Sequence, residues 1–304
     1  MQFIRRYHEN VILLGAIEYA EVPMESNSYT RLTLALDVIG KIQDGPWKGY
    51  HELGTVKHQI DLCDTIRIEP SNRLSLECND PRVPCDEHNL CLQAVTLLQR
   101  EYEIDHSVRI TIDKRIPVQG GLAGGSANAA TTLMMLNELW KLHLPRRQLM
   151  KLGRILGMDV PFYFYGHTAF DTEATGVCTP IETGIRLTFI LAIPEFGVST
   201  AEAYRGLDYG KTGKSVDLTE RMKNYCLAND VQGVVSSIHN DFEASVFAAH
   251  PALATLRQEL LDAGCSTAVL SGSGSTVFGI IPEGADIALL QKKIKCRTII
   301  ASTL

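Results

Sequence analysis

The chain is short of positive charge. Its 29 lysines and arginines face 35 aspartates and glutamates, a formal net charge of −6. An acidic balance gives no general attraction to a polyphosphate backbone, so nucleic-acid binding is not expected, and any anionic ligand must be held by a local cluster of donors. Paired cysteines are missing too. Cys63, Cys78, Cys85, Cys91, Cys178, Cys226, Cys265 and Cys296 form no CxxC pair, so no zinc spacing is present and no metal ligand set can be named. Reduced thiols in a cytoplasmic protein are expected. No run approaches the roughly 20 apolar residues that a membrane-spanning helix needs. The pair Arg5-Arg6 and the apolar run 11–17 have the outline of a signal segment. Glu9 breaks the basic flank, however, and no small-residue cleavage site follows, so the run reads as a strand.

What is present is an ordinary globular composition, 45% hydrophobic and 21% charged over 304 residues, which suits two domains better than one. Residues 1–28 read as a leading segment ending in the polar patch Glu25-Ser26-Asn27-Ser28. In YTRLTLALDVI (29–39), Leu32, Leu34, Leu36 and Val38 alternate, the pattern of a half-buried strand. A loop with Gly45, Pro46 and Trp47 follows, then strands near 65–68 and 108–112 and a helix over 89–102. Ala129, Leu133, Leu136 and Trp140 mark a second helix, and a third opens at Pro145 and stops at Gly157. Beyond residue 170 the spacing predicts a strand over 187–193, helices over 217–228, 231–247 and 251–263, and a strand over 277–281.

Glycine is concentrated in two places. Pro117-Val-Gln-Gly-Gly-Leu-Ala-Gly-Gly-Ser126 runs straight into the second helix, and Ser271-Gly-Ser-Gly-Ser-Thr276 precedes the last of these strands. A glycine loop entering a helix N-terminus exposes unpaired N–H groups, adds the positive end of the helix dipole and lets phosphate oxygens approach the backbone. Gly120, Gly121, Gly124 and Gly125 supply that freedom, and the Ser126 hydroxyl could reach a phosphate or its Mg2+. No Gly-Lys-Ser/Thr follows, so the loop is not a Walker A motif, and its spacing does not fit the dinucleotide fingerprint. On chemistry alone, a phosphate cradle and a plain strand-to-helix turn both remain open.

The motifs narrow the choice. DKRIPVQGGLAGGSANAATTLMMLNELWKL resembles the phosphate loop and helix of the GHMP kinases. GMDVPF, GHTAF, GYHEL, VSTAEAYRGL and LSGSGSTVFG resemble further segments of that family, and the similarity covers nearly everything after residue 28. The resemblance implies an α+β fold, with an N-terminal domain like ribosomal protein S5 domain 2 (1–170) and a ferredoxin-like C-terminal domain (171–304). It implies ATP-dependent phosphorylation of a hydroxyl on a small molecule, with Mg2+, in the branch whose acceptor is a cytidine-diphosphate-linked tetrol of isoprenoid precursor synthesis. Nucleic acid and membrane are not implied partners, and a monomer or homodimer is expected.

By the same resemblance Asp159 is the base. Pro117, Gly120, Gly121, Leu122, Gly124, Gly125, Ser126 and Ala127 hold ATP. Tyr50 and His51 take the cytosine ring, and Ser271, Gly272, Ser273 and Gly274 close the site. Where the family reads Pro-Ala-Lys-Leu-Asn, this chain reads Tyr29-Thr30-Arg31-Leu32-Thr33. Arg31 therefore stands in the catalytic lysine's place and Thr33 in that of a substrate-binding asparagine, while Ala127 replaces a serine. Those departures leave two alternatives, a GHMP kinase acting on another alcohol and a nucleotide-binding pseudokinase.

Overall fold

The computed structural model describes residues 23–45, 47–173 and 177–304; the expected strand at 11–17 and Pro46 lie outside them. Two long strands open the fold, β1 (Met24–Lys41) and β2 (His51–Ser71), paired antiparallel along their whole length from Met24↔Ile68 to Lys41↔His51. β1 thus begins five residues before the expected strand segment at Tyr29, because Met24 and the polar stretch after it still find ladder partners on β2. It is also buried on both faces from Thr30 to Val38, not on one.

The chain continues through β3 (Ser75–Cys78), α1 (Leu90–Tyr102), β4 (Ser107–Asp113), α2 (Gly124–Leu139), α3 (Arg146–Leu156), a short 3-10 helix (Val160–Phe164), β5 (Thr168–Glu173) and β6 (Cys178–Pro180). α1 starts where Asn89 accepts a hydrogen bond from the Cys91 N–H, the N-cap device that satisfies an orphan donor. α3 stops at Gly157. Helices α1, α2 and α3 pack on this sheet through Val95, Leu98, Leu133, Leu136, Trp140 and Leu152, against Ile66, Ile68 and Ile110.

A second sheet has the order β11-β7-β10-β9, all antiparallel. Its strands are β7 (Thr188–Ile193), β9 (Ala268–Leu270), β10 (Val277–Ile281) and β11 (Arg297–Ser302). Among them run α4 (Thr200–Arg205), α5 (Val216–Ala228), α6 (Val231–Ser236), α7 (Glu243–Ala249), α8 (Pro251–Ala263) and α9 (Ile287–Lys293). Leu32, Leu34, Val56 and Ile60 of the first sheet meet Phe189, Leu191, Phe278 and Ile280 of the second in a shared apolar layer.

The single helix expected over 231–247 is broken. Between α6 and α7 lies β8 (His239–Asn240), parallel to Ala35 and Leu36 of β1. The reason is Asn240. Its amide donates to the carbonyls of Leu270 and Gly272, each at 2.8 Å, and its Oδ1 accepts from the Phe242 N–H at 2.9 Å. One side chain thus fastens the second glycine turn, and helical periodicity cannot register such a distant claim.

His58 on β2 is a buried seam between β5 and the C-terminus. Its ring nitrogens meet the hydroxyls of Thr168 at 2.7 Å and Thr303 at 2.9 Å. Burial, helped by the charges of Arg186 and His167, pushes its pKa down from 6.5 to about 4. The folded state therefore keeps His58 neutral while the unfolded chain takes up a proton below 6.5. Stability supplied by this group is complete above that value and is lost as pH falls toward 4, at about 1.4 kcal/mol per pH unit at most. Urea unfolding at pH 7 and pH 5 should show this loss in the wild type and a smaller one in His58→Gln. Parallel losses in both proteins would place the acid sensitivity elsewhere.

Candidate functional site

The glycine loop, α2 and the second glycine turn surround a cleft of about 860 Å3. Asp64, fully buried on β2, fixes the approach to the loop. It accepts from the N–H groups of Arg115 (2.7 Å) and Ile116 (2.8 Å) and from Lys114 Nζ (2.6 Å). The residue before α2, Ala123, sits in the left-handed region at φ 53° and has no side chain that could cap the helix. The first N–H groups of α2 are thus left for a ligand, the arrangement that favours anions.

The two glycine segments touch through their backbones. A Cβ on Gly121 would run into the Ser271 carbonyl oxygen, and one on Gly272 would lie 2.9 Å from Gly121 O. Gly121 also has φ 71°, which favours glycine. The Gly121 carbonyl accepts from Ser271 Oγ at 3.1 Å and from Arg31 Nη1 at 2.9 Å, and the Thr276 N–H donates to Gly120 O at 3.2 Å.

At the foot of α2 lies a charged cluster. Asp159, just before the 3-10 helix, is held from two sides: Arg31 Nη2 is 2.9 Å from Oδ2, and Lys57 Nζ is 2.6 Å from Oδ1. Lys57, 1% exposed, also bonds Asp171 Oδ2 and Glu173 Oε1, each at 2.9 Å, which uses all three of its protons. Burial alone would raise the Asp159 pKa, but the Arg31 and Lys57 charges override it and hold the carboxyl far below its usual range. For Glu173 burial wins over the pull of Lys57, and its pKa is raised.

Pro117, Gly120, Gly121, Leu122, Gly124, Gly125, Ser126, Arg31, Asp159, Gly272, Ser273 and Gly274 all line the cleft. Ala127 is not part of the lining; it is 1% exposed and packs into the apolar core under α2. Thr33 is likewise buried, opposite Lys57 in the β1–β2 register. His51 and Tyr50 stand apart from the phosphate loop. The His51 ring stacks on Tyr204, a cleft residue, with centroids 4.1 Å apart, and its Nε2 meets the Tyr209 hydroxyl at 2.8 Å. Tyr50 is 48% exposed and touches Trp47 edge-on.

Lys57, Asp171 and Glu173 escaped the sequence reading. The available signal was a lysine in the middle of the strand run TVKHQIDL, where a charge needs a partner if it is buried.

A glycine loop at an uncapped helix N-terminus, facing a carboxylate clamped by two cations, is an arrangement suited to phosphoryl transfer. Residues 89–167 match the family model of the GHMP kinases N terminal domain and residues 222–299 that of the GHMP kinases C terminal. The chain belongs to the GHMP kinase family, the ATP-dependent phosphotransferases whose α+β fold it has. Within it, the chain is 37% identical over 279 residues to 4-diphosphocytidyl-2-C-methyl-D-erythritol kinase of Bacillus cereus (strain AH187), covering 90% of this chain and 94% of that protein. The crystal structure of a 4-(cytidine 5'-diphospho)-2C-methyl-D-erythritol kinase superposes with a TM-score of 0.74 at 27% identity, over 92% of this chain and 98% of that one. A homoserine kinase from Cytophaga hutchinsonii shares the fold at 15% identity, with a TM-score of 0.69 over 97% of each chain.

The two loop glycines before Ser126 play different parts. A Cβ on Gly124 would meet Ile116 Cγ2 at 2.9 Å and Lys114 Nζ at 3.0 Å, whereas one on Gly125 meets nothing within 4 Å and points into open space. Gly125→Val should therefore fold normally and lose ATP affinity by at least about tenfold, while Gly124→Val should lower the melting temperature as well. Calorimetric titration with ATP beside thermal unfolding separates the two, and unchanged ATP affinity in Gly125→Val would place the phosphates elsewhere.

Proposed function

We propose that this kinase transfers the γ-phosphoryl group of ATP to the 2-hydroxyl of 4-diphosphocytidyl-2-C-methyl-D-erythritol. The observation that carries the reading is Asp159, clamped between Arg31 and Lys57 and facing the uncapped start of α2 across one cleft. The identity to the Bacillus cereus kinase along nearly the whole chain supports the choice of acceptor.

In this reading residues 1–170 carry the nucleotide loop and the base, and residues 171–304 close the cleft with the turn 271–274. The phosphates lie on Gly120, Gly121, Gly124, Gly125 and Ser126. Asp159 accepts the hydrogen bond of the acceptor hydroxyl, aims its oxygen at phosphorus and takes its proton as the new bond forms. Its low proton affinity suits a loose transition state, in which the proton leaves late and positioning matters more than basicity. Arg31, tied to Gly121 O and Asp159, keeps its charge beside the transferring group. The Ser126 hydroxyl is a hard oxygen donor of the kind that would hold Mg2+, which would supply neutralisation of phosphate charge when bound with the nucleotide. His51 and Tyr50 mark the cytidine end.

A second reading, another small alcohol as acceptor, is favoured by one observation. His51 is already engaged by Tyr204 and Tyr209, so a cytosine ring that stacks on the Tyr204 side or bonds Nε2 must displace one of those contacts.

ATP consumption against the cytidine-linked tetrol and simpler alcohols decides between the two. Turnover of another alcohol alone would replace the first reading with the second. Asp159→Asn should lower kcat by roughly 10² to 10⁴ while ATP still binds. Arg31→Ala should lower kcat far more than it raises KM, since its charge counts most in the transition state. Arg31→Lys, with a single nitrogen for two contacts, should fall between. Unchanged kcat in Asp159→Asn would make that residue structural.

A further inference from the structure

The charged cluster does not balance. Arg31 and Lys57 bring two cationic groups, and Asp159, Asp171 and Glu173 bring three carboxyl groups. Asp159 and Asp171 alone would neutralise the two cations. Burying a surplus charge is costly, which is why burial raises the Glu173 pKa, and a purely structural ion cluster would not need this third carboxyl group.

The three acids also differ in where they stand. Asp171 is 2% exposed and turned inward. Its Oδ2 holds Lys57 and its Oδ1 accepts the Glu173 N–H at 2.7 Å, which fixes the backbone of Glu173. Glu173 lines the cleft beside Asp159 with 18% of its side chain exposed. Its Oε1 lies on Lys57, and its Oε2 has no partner among the described residues. Because Asp159 Oδ1 and Glu173 Oε1 bond the same nitrogen, at 2.6 and 2.9 Å, the two carboxylates are close enough to receive neighbouring groups of one small molecule.

We propose that Glu173 is a substrate-binding residue, whose carboxylate accepts a hydrogen bond from a hydroxyl adjacent to the one that Asp159 prepares for phosphorylation. The acceptor is then a vicinal polyol, and a lone alcohol is a poor substrate. Lys57 and Asp171 are the residues that position Glu173. The outward oxygen of Glu173 gains a donor when a hydroxyl fills the cleft, and a charge-assisted hydrogen bond is roughly twice as strong as a neutral one. This deepens the proposed function and rests on its phosphoryl-transfer assignment, but not on the cytidine group.

Glu173→Gln is the informative variant. Its amide oxygen replaces Oε1 on Lys57, which leaves an NH2 group toward the cleft that cannot accept from a hydroxyl. The experiment measures kcat/KM of wild type and E173Q on the cytidine-linked tetrol and on its 1-deoxy and 3-deoxy analogues, with thermal unfolding and ATP affinity as controls. In the wild type one analogue should lose about 10²-fold, as expected when a buried charged group is left unpaired. E173Q should lose a similar factor on the full substrate and almost nothing more on that analogue, with ATP affinity unchanged.

Losses that multiply would overturn the proposal, because independent effects add in free energy. A variant whose only change is a higher Mg2+ requirement would also overturn it and assign Glu173 to the metal. If the wild type ignores the tetrol, the substrate assignment fails on its own, and the same comparison passes to whichever alcohol is phosphorylated. An accepted alcohol without a neighbouring hydroxyl, or no accepted alcohol at all, would sink the Glu173 assignment.

Discussion

Everything around the cleft is arranged about one carboxylate shared by two cations. Asp159 receives Lys57 on one oxygen and Arg31 on the other, and with the further bonds of Lys57 they join four separate pieces of chain. Arg31 comes from β1, Lys57 from β2, Asp159 from the start of the 3-10 helix, and the further acids on Lys57 from β5. Taking such charges out of water is expensive, and it is offset only where geometry is close and the remaining donors are satisfied. Lys57 meets that condition, with three acceptors at 2.6 to 2.9 Å for its three protons. The cost explains the surroundings. β1 must be buried on both faces, and the two long strands must hold a fixed register, or the charges would be stranded.

The positive charge that faces Asp159 is therefore distributed over two residues. Arg31 spans a distance with its fork, linking Asp159 to the Gly121 carbonyl. Lys57 brings a compact ammonium from the neighbouring strand. A planar guanidinium does the bridging and a point charge does the clamping, the division their shapes favour.

Local patterns carried much of this fold in the sequence. The alternation of Leu32, Leu34, Leu36 and Val38 marked β1, the stripe Ala129, Leu133, Leu136 and Trp140 marked α2, and Pro145 with Gly157 bracketed α3. The glycine loop was legible because its chemistry is local. What escaped depends on partners far away in the chain. Asn240 interrupts a plausible helix because it answers to Leu270 and Gly272. Lys57 reads as an oddity in an apolar strand until Asp159, Asp171 and Glu173 are brought beside it, more than a hundred residues later. Ala127, next to the glycine loop in sequence, faces the core because a helix turns successive residues through a large angle.

The backbone contact between Gly121 and Gly272 has one more implication. Side chains at an interface can trade volume, one shrinking as another grows, and so tolerate gradual change. Here main chain rests on main chain, and even a methyl group at Gly121 meets the Ser271 carbonyl. The spacing between the two halves of the cleft is thus a gauge with a single setting. Because the Gly121 carbonyl is also the acceptor for Arg31, any loosening of that joint reaches the guanidinium that holds Asp159.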